Sequence, residues 1–206
     1  MGSKADVNGG SSTGREVVLF HSVLGLRPAV RRWAERLRAE GHTVHTPDLY
    51  DGRVFEDYDE GMRALESLGG IEWLIERSQA AVADLPNEVV YAGFSNGGGS
   101  AQLLALTRPG ALGVVLMHAA LPVEVFGAEA WPAEVPLQIH YAERDPFRDP
   151  GAVEALSDSV HRSGARCETW LYPGEGHLFA DEGLAEYDER QAELMFGRVS
   201  EFLREL

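Results

Sequence analysis

The sequence predicts an α/β fold, a three-layer domain with a mainly parallel sheet of about six strands covered by helices on both faces. Two observations carry that prediction. Short apolar runs alternate with longer stretches of helical period, so each strand is followed by a crossover back over the sheet. The 206 residues suit one domain with a sizeable core and leave no room for a second large one. No internal repeat or linker breaks the alternation. In such a sheet ligands bind beyond the carboxyl ends of the strands, which directs attention to the loops after Phe20, Thr46, Ala92, Met117, Tyr141 and Leu171.

Each element has a local reason. Residues 1–14 are polar and rich in Gly and Ser, and read as a disordered tail ahead of a domain over 15–206. Glu16-Val17-Val18-Leu19-Phe20 is a short buried strand. Pro28 to Glu40 is helical, with Val30, Trp33, Ala34 and Leu37 on one face and arginines on the other, and Gly41 stops it. Thr43 to Thr46 is the second strand, closed by Pro47. Asp48 to Asp57 is a loop, followed by helices over Tyr58 to Leu68 and Ile71 to Leu85, the latter ended by Pro86. Val89 to Ala92 is a strand and Ser100 to Leu106 a helix. Leu112 to Met117 is a strand, and Ala119 to Val135 a long loop. Leu137 to Tyr141 and Arg166 to Leu171 are the last strands, flanking a helix over Gly151 to Ser163. Pro173 to Asp181 is a loop, and Leu184 to Leu206 a terminal helix.

Bulk composition removes several classes of function. The formal net charge is −15, a surface that repels nucleic-acid backbones and anionic lipid. No run approaches the ~20 apolar residues of a membrane span. The first residues lack the apolar core of a signal peptide, so a cytoplasmic protein is expected. Cys167 is the only cysteine; it excludes an intrachain disulfide and lies in a strand-like stretch where it reads as packing. The scattered histidines and single cysteine match no common zinc spacing. There is no dinucleotide fingerprint or Walker sequence, and Gly97-Gly98-Gly99 read as close packing of a helix on the sheet. No metal or cofactor is expected.

The most informative residues are Gly93-Phe94-Ser95-Asn96-Gly97. An apolar strand precedes them and a helix follows. Strand, G-x-S-x-G, helix is the nucleophile elbow of α/β-hydrolases, in which a serine sits strained at the tip of a turn too sharp for flanking side chains. A serine hydroxyl needs a base to take its proton, and the base needs a carboxylate to fix its tautomer. In this fold the chain order is nucleophile, acid, histidine. Asp145 follows one later strand, in Glu143-Arg144-Asp145-Pro146, and His177 follows the last, in Gly174-Glu175-Gly176-His177. Of the other histidines, His45, His140, His161 and His42 read as packing or solvated residues. His118 and His21 sit at strand ends where they could line a pocket. An oxyanion hole requires two donors. The backbone N–H of Asn96 is one, and the loop His21 to Leu26 supplies the other, with Val23 preferred and Leu24 next.

Taken together, His21-Ser22-Val23-Leu24-Gly25-Leu26, Pro47-Asp48-Leu49-Tyr50, the elbow with Gly97-Gly98, Glu143-Arg144-Asp145-Pro146 and Gly174-Glu175-Gly176-His177-Leu178-Phe179 make the chain resemble the dienelactone hydrolase family of α/β-hydrolases. The resemblance runs from about Glu16 to the C-terminus and implies a compact hydrolase without a large lid. It implies a nucleophile–His–Asp triad at Ser95, His177 and Asp145. The chain departs from the family's type enzyme in three places. Ser95 replaces a nucleophilic cysteine. Ser22 stands where that enzyme has a glutamate paired with the resting cysteine. Asp181 stands where it has an arginine for the substrate carboxylate, and would repel such a group; Arg53 is the nearest match to a second arginine. The expected activity is therefore a serine hydrolase acting on a small-molecule ester or lactone through an acyl-enzyme, as a monomer or homodimer. The pocket is expected to be shaped by Ser22, Leu24, Tyr50 and Phe94, together with Leu121, Phe147 and Phe179. A thioesterase or peptidase on the same residues, and a non-catalytic ligand-binding protein of the same fold, are the alternatives.

Overall fold

The computed structural model describes residues 14–206; the tail expected over the first fourteen residues lies outside them except for Gly14. The strands are β1 (Glu16–Phe20), β2 (Thr43–His45), β3 (Val90–Phe94), β4 (Gly113–Met117), β5 (Leu137–Ala142) and β6 (Cys167–Tyr172). They form one sheet in the order β2-β1-β3-β4-β5-β6. Every pairing is parallel; Gly25 and Val54 add an isolated antiparallel bridge. The chain winds outward from β1 to β2, crosses back to β3 and then proceeds to β6, so the order reverses between β1 and β3. That reversal opens a crevice beyond the carboxyl ends of these two strands.

The helices are α1 (Pro28–Ala39), α2 (Tyr58–Leu68), α3 (Gly70–Ala81), α4 (Asn96–Thr107), α5 (Pro150–Arg162) and α6 (Glu189–Glu205), with one 3-10 turn over Val123–Phe126. β3, β4 and β5 are buried along their whole length, as strands covered on both faces must be. α1 turns Ala29, Val30, Trp33, Ala34 and Leu37 to the core, and α6 does the same with Met195, Phe196, Val199, Phe202 and Leu203. Truncating one of the larger of these, such as Leu37, Met195 or Phe202, to alanine costs about 2–5 kcal/mol.

Three boundaries differ from the sequence reading by more than two residues, each for a local reason. α4 starts at Asn96, directly after Ser95 and ahead of Ser100; Gly97, Gly98 and Gly99 form its first turn, in keeping with their reading as helix packed on the sheet. α3 stops at Ala81; Val82, Ala83 and Leu85 donate instead to carbonyls three residues back, a tightened last turn. α6 starts at Glu189 rather than Leu184. Asp188 caps it by accepting from the Gln191 N–H at 3.0 Å, and Glu186 is diverted elsewhere. Among the described residues no helix is long and apolar enough to cross a membrane.

Candidate active site

Ser95 stands at the switch point, between β3 and α4, with φ 50° and ψ −118°. That left-handed conformation is costly for a residue with a side chain. Its surroundings over-determine it. The Ser95 N–H donates to Met117 O at 2.8 Å, and the Ser95 carbonyl accepts from Gly98 N at 2.7 Å. A Cβ on Gly93 would lie 2.1 Å from Gly97 O, and one on Gly97 would lie 2.4 Å from His21 O. Both contacts are with backbone, so the elbow closes only with glycine at both positions.

The two other residues picked out by chain order meet this serine. His177 Nε2 lies 2.8 Å from Ser95 Oγ. His177 Nδ1 lies 2.8 Å from Asp145 Oδ2 and 3.0 Å from Oδ1. Asp145 also accepts the Phe147 N–H at 2.8 Å. Asp145 sits in the loop after β5 and His177 in the loop after β6. Both are buried while Ser95 is half-exposed. The result is one hydrogen-bonded line from a carboxylate through an imidazole to a hydroxyl at the surface of a cleft.

The cleft encloses about 600 Å³ and falls within the size range of small-molecule sites. Val23 and Asn96 line it beside Ser95. Among the described residues neither backbone N–H donates to a protein acceptor. The Leu24 N–H, the second choice as donor, is occupied by Ser22 Oγ at 3.2 Å. Its walls are Tyr58 and Met62 from α2, Leu121 and Pro122 after β4, and Tyr141, Phe147 and Ala152 around β5 and α5. Phe147 is 60% exposed, yet its ring lies 4.6 Å from that of His177. A second groove of similar size, about 650 Å³, runs along edge strand β2 past Arg38, His45, Asp48 and Arg77. It contains no member of the hydrogen-bonded line.

Most of the expected pocket residues lie elsewhere. Only Leu121 and Phe147 reach the cleft wall. Leu24 and Tyr50 are fully buried. Tyr50 stacks on Trp73 with ring centroids 5.6 Å apart, and burial pushes its hydroxyl up to about 12. Phe94 packs edge-on to Trp33, and Phe179 against His118 and Tyr172. Ser22 is buried and shapes its own loop through the Leu24 N–H. Leu24, Tyr50 and Phe179 point into the core from loops that pack against it, and Phe94 does so from the end of β3. His21 is fixed by Ser22 O and the Leu49 N–H and is also absent from the cleft.

Two charged positions need correction. Asp181 does not face the cleft to repel a substrate. It is buried, and Arg27 Nε donates to Asp181 Oδ2 at 2.7 Å. The same guanidinium donates to Phe55 O and Gly183 O, so the pair is structural. Arg53 donates to Tyr50 O and also stays out of the cleft. The carboxylate that does line it is Asp149, and among the described residues no lysine or arginine does.

Sequence reasoning missed three participants. Tyr58, at the start of a helix, and Asp149, in the loop after β5, have no signal beyond those positions. Glu186 reads as one more acidic residue on a helix, but instead accepts the backbone N–H groups of His177 and Leu178. His118 reached the cleft as its strand-end position allowed. Its φ is 63°, and neither ring nitrogen has a partner. Burial first, then His177 and His140, hold its pKa well below the ordinary value and keep the ring neutral. No group of three or more metal-ligating side chains occurs among the described residues.

A parallel sheet with a strained serine at its switch point, a histidine hydrogen-bonded to that serine and a carboxylate to the histidine, both from later strand ends, has the architecture of the α/β-hydrolase fold. Comparison narrows this to a family. The chain belongs to the dienelactone hydrolase family, which it matches over residues 7–206. A carboxymethylenebutenolidase of Rhodococcus opacus is 28% identical over 193 residues, covering 85% of this chain and 74% of that protein. The crystal structure of a dienelactone hydrolase-like promiscuous phosphotriesterase from metagenomic libraries superposes with a TM-score of 0.77 at 22% identity, covering 97% of this chain and 89% of that one. A thermophilic esterase of Thermogutta terrifontis gives a TM-score of 0.61 at 18% identity, covering 94% and 84%.

Proposed function

We propose that this protein is a serine hydrolase of small, uncharged carboxylic esters or lactones. The observation that carries the reading is the line Asp145–His177–Ser95, which ends in a cleft beside two unengaged N–H groups. His177 Nε2 takes the Ser95 proton as Oγ attacks the carbonyl carbon. Asp145 holds Nδ1–H and stabilises the imidazolium that forms. The N–H groups of Val23 and Asn96 receive the oxyanion, and each such donor is typically worth two to three orders of magnitude in rate. The C–O bond to the leaving group then breaks, and His177 delivers its proton to the departing alkoxide. Water gives a proton to His177 as it attacks the acyl carbon; the bond from that carbon to Ser95 Oγ then breaks, His177 returns the proton to Oγ, and the acid leaves.

The cleft wall argues for an uncharged substrate. A carboxylate there would face Asp149 with no lysine or arginine among the described residues to balance it, and apolar side chains supply most of the remaining surface. The R. opacus relative is named for a carboxymethylene-substituted butenolide; the lactone ring of that compound fits the chemistry proposed here, whereas its carboxyl group would meet no lysine or arginine on this cleft wall.

The test is hydrolysis of p-nitrophenyl acetate by wild type and Ser95→Ala. Loss of the nucleophile lowers kcat by about 10⁴-fold or more. Equal rates, with no labelling of Ser95 by a fluorophosphonate in folded protein, would favour a ligand-binding protein and end the proposal.

A further inference from the structure

The loop that carries His177 runs from Pro173 to Asp188, outside the sheet, so no strand neighbour fixes the histidine backbone. One side chain does. Glu186 Oε1 accepts the Leu178 N–H at 2.8 Å, and Oε2 accepts the His177 N–H at 3.2 Å. The Tyr58 hydroxyl also donates to Oε1. A single carboxylate thus ties two consecutive amides of the base's own loop to the first residue of α2, the helix that walls the cleft. Its seat is specific. A Cβ on Gly176 would lie 2.9 Å from Glu186 O and 3.1 Å from Glu186 Cβ, so the glycine before His177 lets Glu186 approach. Tyr58 is suited to remain a donor, because burial first and Glu186 second raise its pKa. Its ring lies 5.6 Å from that of His177.

We propose that Glu186 is a positioning residue for His177, holding the imidazole between Asp145 and Ser95 and coupling it to the α2 wall through Tyr58. The inference rests on the hydrolase reading for its rate effects but not for its geometry. Charge-assisted bonds from both amides fix the backbone at the histidine. Without them the His177 and Leu178 amides have no protein acceptor among the described residues; the loop keeps the bonds from the Asp181 and Asp188 amides to Leu178 O and Phe179 O, and His177 keeps its ring contacts. A small displacement of Nε2 from Ser95 Oγ slows proton transfer while leaving the cleft walls, and so binding, largely in place.

The experiment compares Glu186→Ala, Glu186→Gln and Tyr58→Phe with wild type. The first readout is kinetic, on p-nitrophenyl acetate. The second is the far-downfield proton resonance of the His177–Asp145 hydrogen bond, which needs no turnover. For Glu186→Ala, kcat is expected to fall about 10- to 100-fold with KM changing less than about twofold. The downfield proton is expected to broaden or shift. Glu186→Gln keeps one acceptor and should recover part of kcat, and Tyr58→Phe should fall between it and wild type. A merely structural role would lower thermal stability without separating kcat from KM or moving the resonance. Wild-type kcat and an unchanged resonance in folded Glu186→Ala would overturn the proposal. If that variant does not fold, the same result in Glu186→Gln would overturn it. If the wild type shows no hydrolysis that depends on Ser95, the hydrolase reading fails, and the resonance still decides the role of Glu186.

Discussion

The two halves of the site are built in different ways. Ser95 and the Asn96 N–H are placed by backbone. A strand end, a turn closed by glycines and a helix start leave the serine one conformation. Asp145 and His177 are placed by side chains. Their loops lie beyond the sheet; backbone turns close them, but the two functional side chains are aimed by the Phe147 N–H, Glu186 and each other. The backbone half tolerates almost no change in shape but is indifferent to charge. The side-chain half tolerates changes of shape at its rim but depends on which groups carry protons. Substitutions can test that division.

The largest effect is expected at Asp145→Asn. The amide keeps the volume and can still accept the Phe147 N–H, so the fold should stay. It cannot hold His177 in the tautomer with a proton on Nδ1, and kcat should fall about 10⁴-fold. A steady-state assay beside a thermal melt checks both parts. A large drop in Tm would mean that Asp145 serves the fold as much as the site.

The backbone half is probed by Gly97→Ala. The added methyl would meet Phe20 O and His21 O at 2.6 and 2.4 Å, and no flexible side chain can yield. Destabilisation of about 3 kcal/mol is expected. Gly99→Ala is the control in the same helix. Nothing lies within 4 Å of its added Cβ, and alanine is the better helix former, by about 0.5–1 kcal/mol. Urea denaturation of the pair gives opposite signs if the elbow is as rigid as its contacts imply. Equal stabilities would show that β1 can move.

The side-chain half should be the part sensitive to acid. Buried His118 and His140 flank it and are held neutral. Burial, with a smaller contribution from Arg198, takes His140 down to about 3. A histidine whose pKa is lower in the folded state binds fewer protons than the unfolded chain. Its stabilising contribution is complete above about pH 6.5 and is lost as pH falls from there toward 3, at about 1.4 kcal/mol per pH unit. Urea midpoints from pH 7 to pH 4 should decline accordingly. His140→Gln, which cannot titrate, should flatten the slope.

The same division explains what could be read in advance. The sheet and its connections were legible because buried parallel strands demand continuous apolar runs, which Val17 to Phe20 and Val114 to Met117 supply. The elbow was legible because its geometry demands glycine. Asp145 and His177 were legible only through chain order. The pocket was not. Tyr50, Phe94 and Phe179 have the composition of a pocket but turn into the core, because the direction of a side chain in a loop or at a strand end is set by contacts between segments far apart in sequence. Glu186 and Tyr58 are 128 residues apart, and nothing local marks either. Asp181 misled for the same reason, since its partner Arg27 lies 154 residues away.

The smallest effect expected is also the most informative about substrate. Asp149 is the carboxylate on the cleft wall, and it also caps α5 by accepting the Gly151 N–H at 2.8 Å. Asparagine caps a helix about as well as aspartate, so Asp149→Asn should remove the charge with little change in stability. If the wall selects against anions, the ratio of kcat/KM for a succinate half-ester to that for the matching neutral butyrate ester should rise. For a partly solvated charge the gain is about two- to fivefold, consistent with an interaction below about 1 kcal/mol. Salt supplies an independent check. Raising ionic strength should increase the same ratio in the wild type, by screening Asp149, and should not do so in the variant. A ratio that stays fixed in both experiments would mean that shape and not charge excludes the anion. Selection would then rest with Phe147, Met62 and Leu121, the apolar groups at the mouth of the cleft.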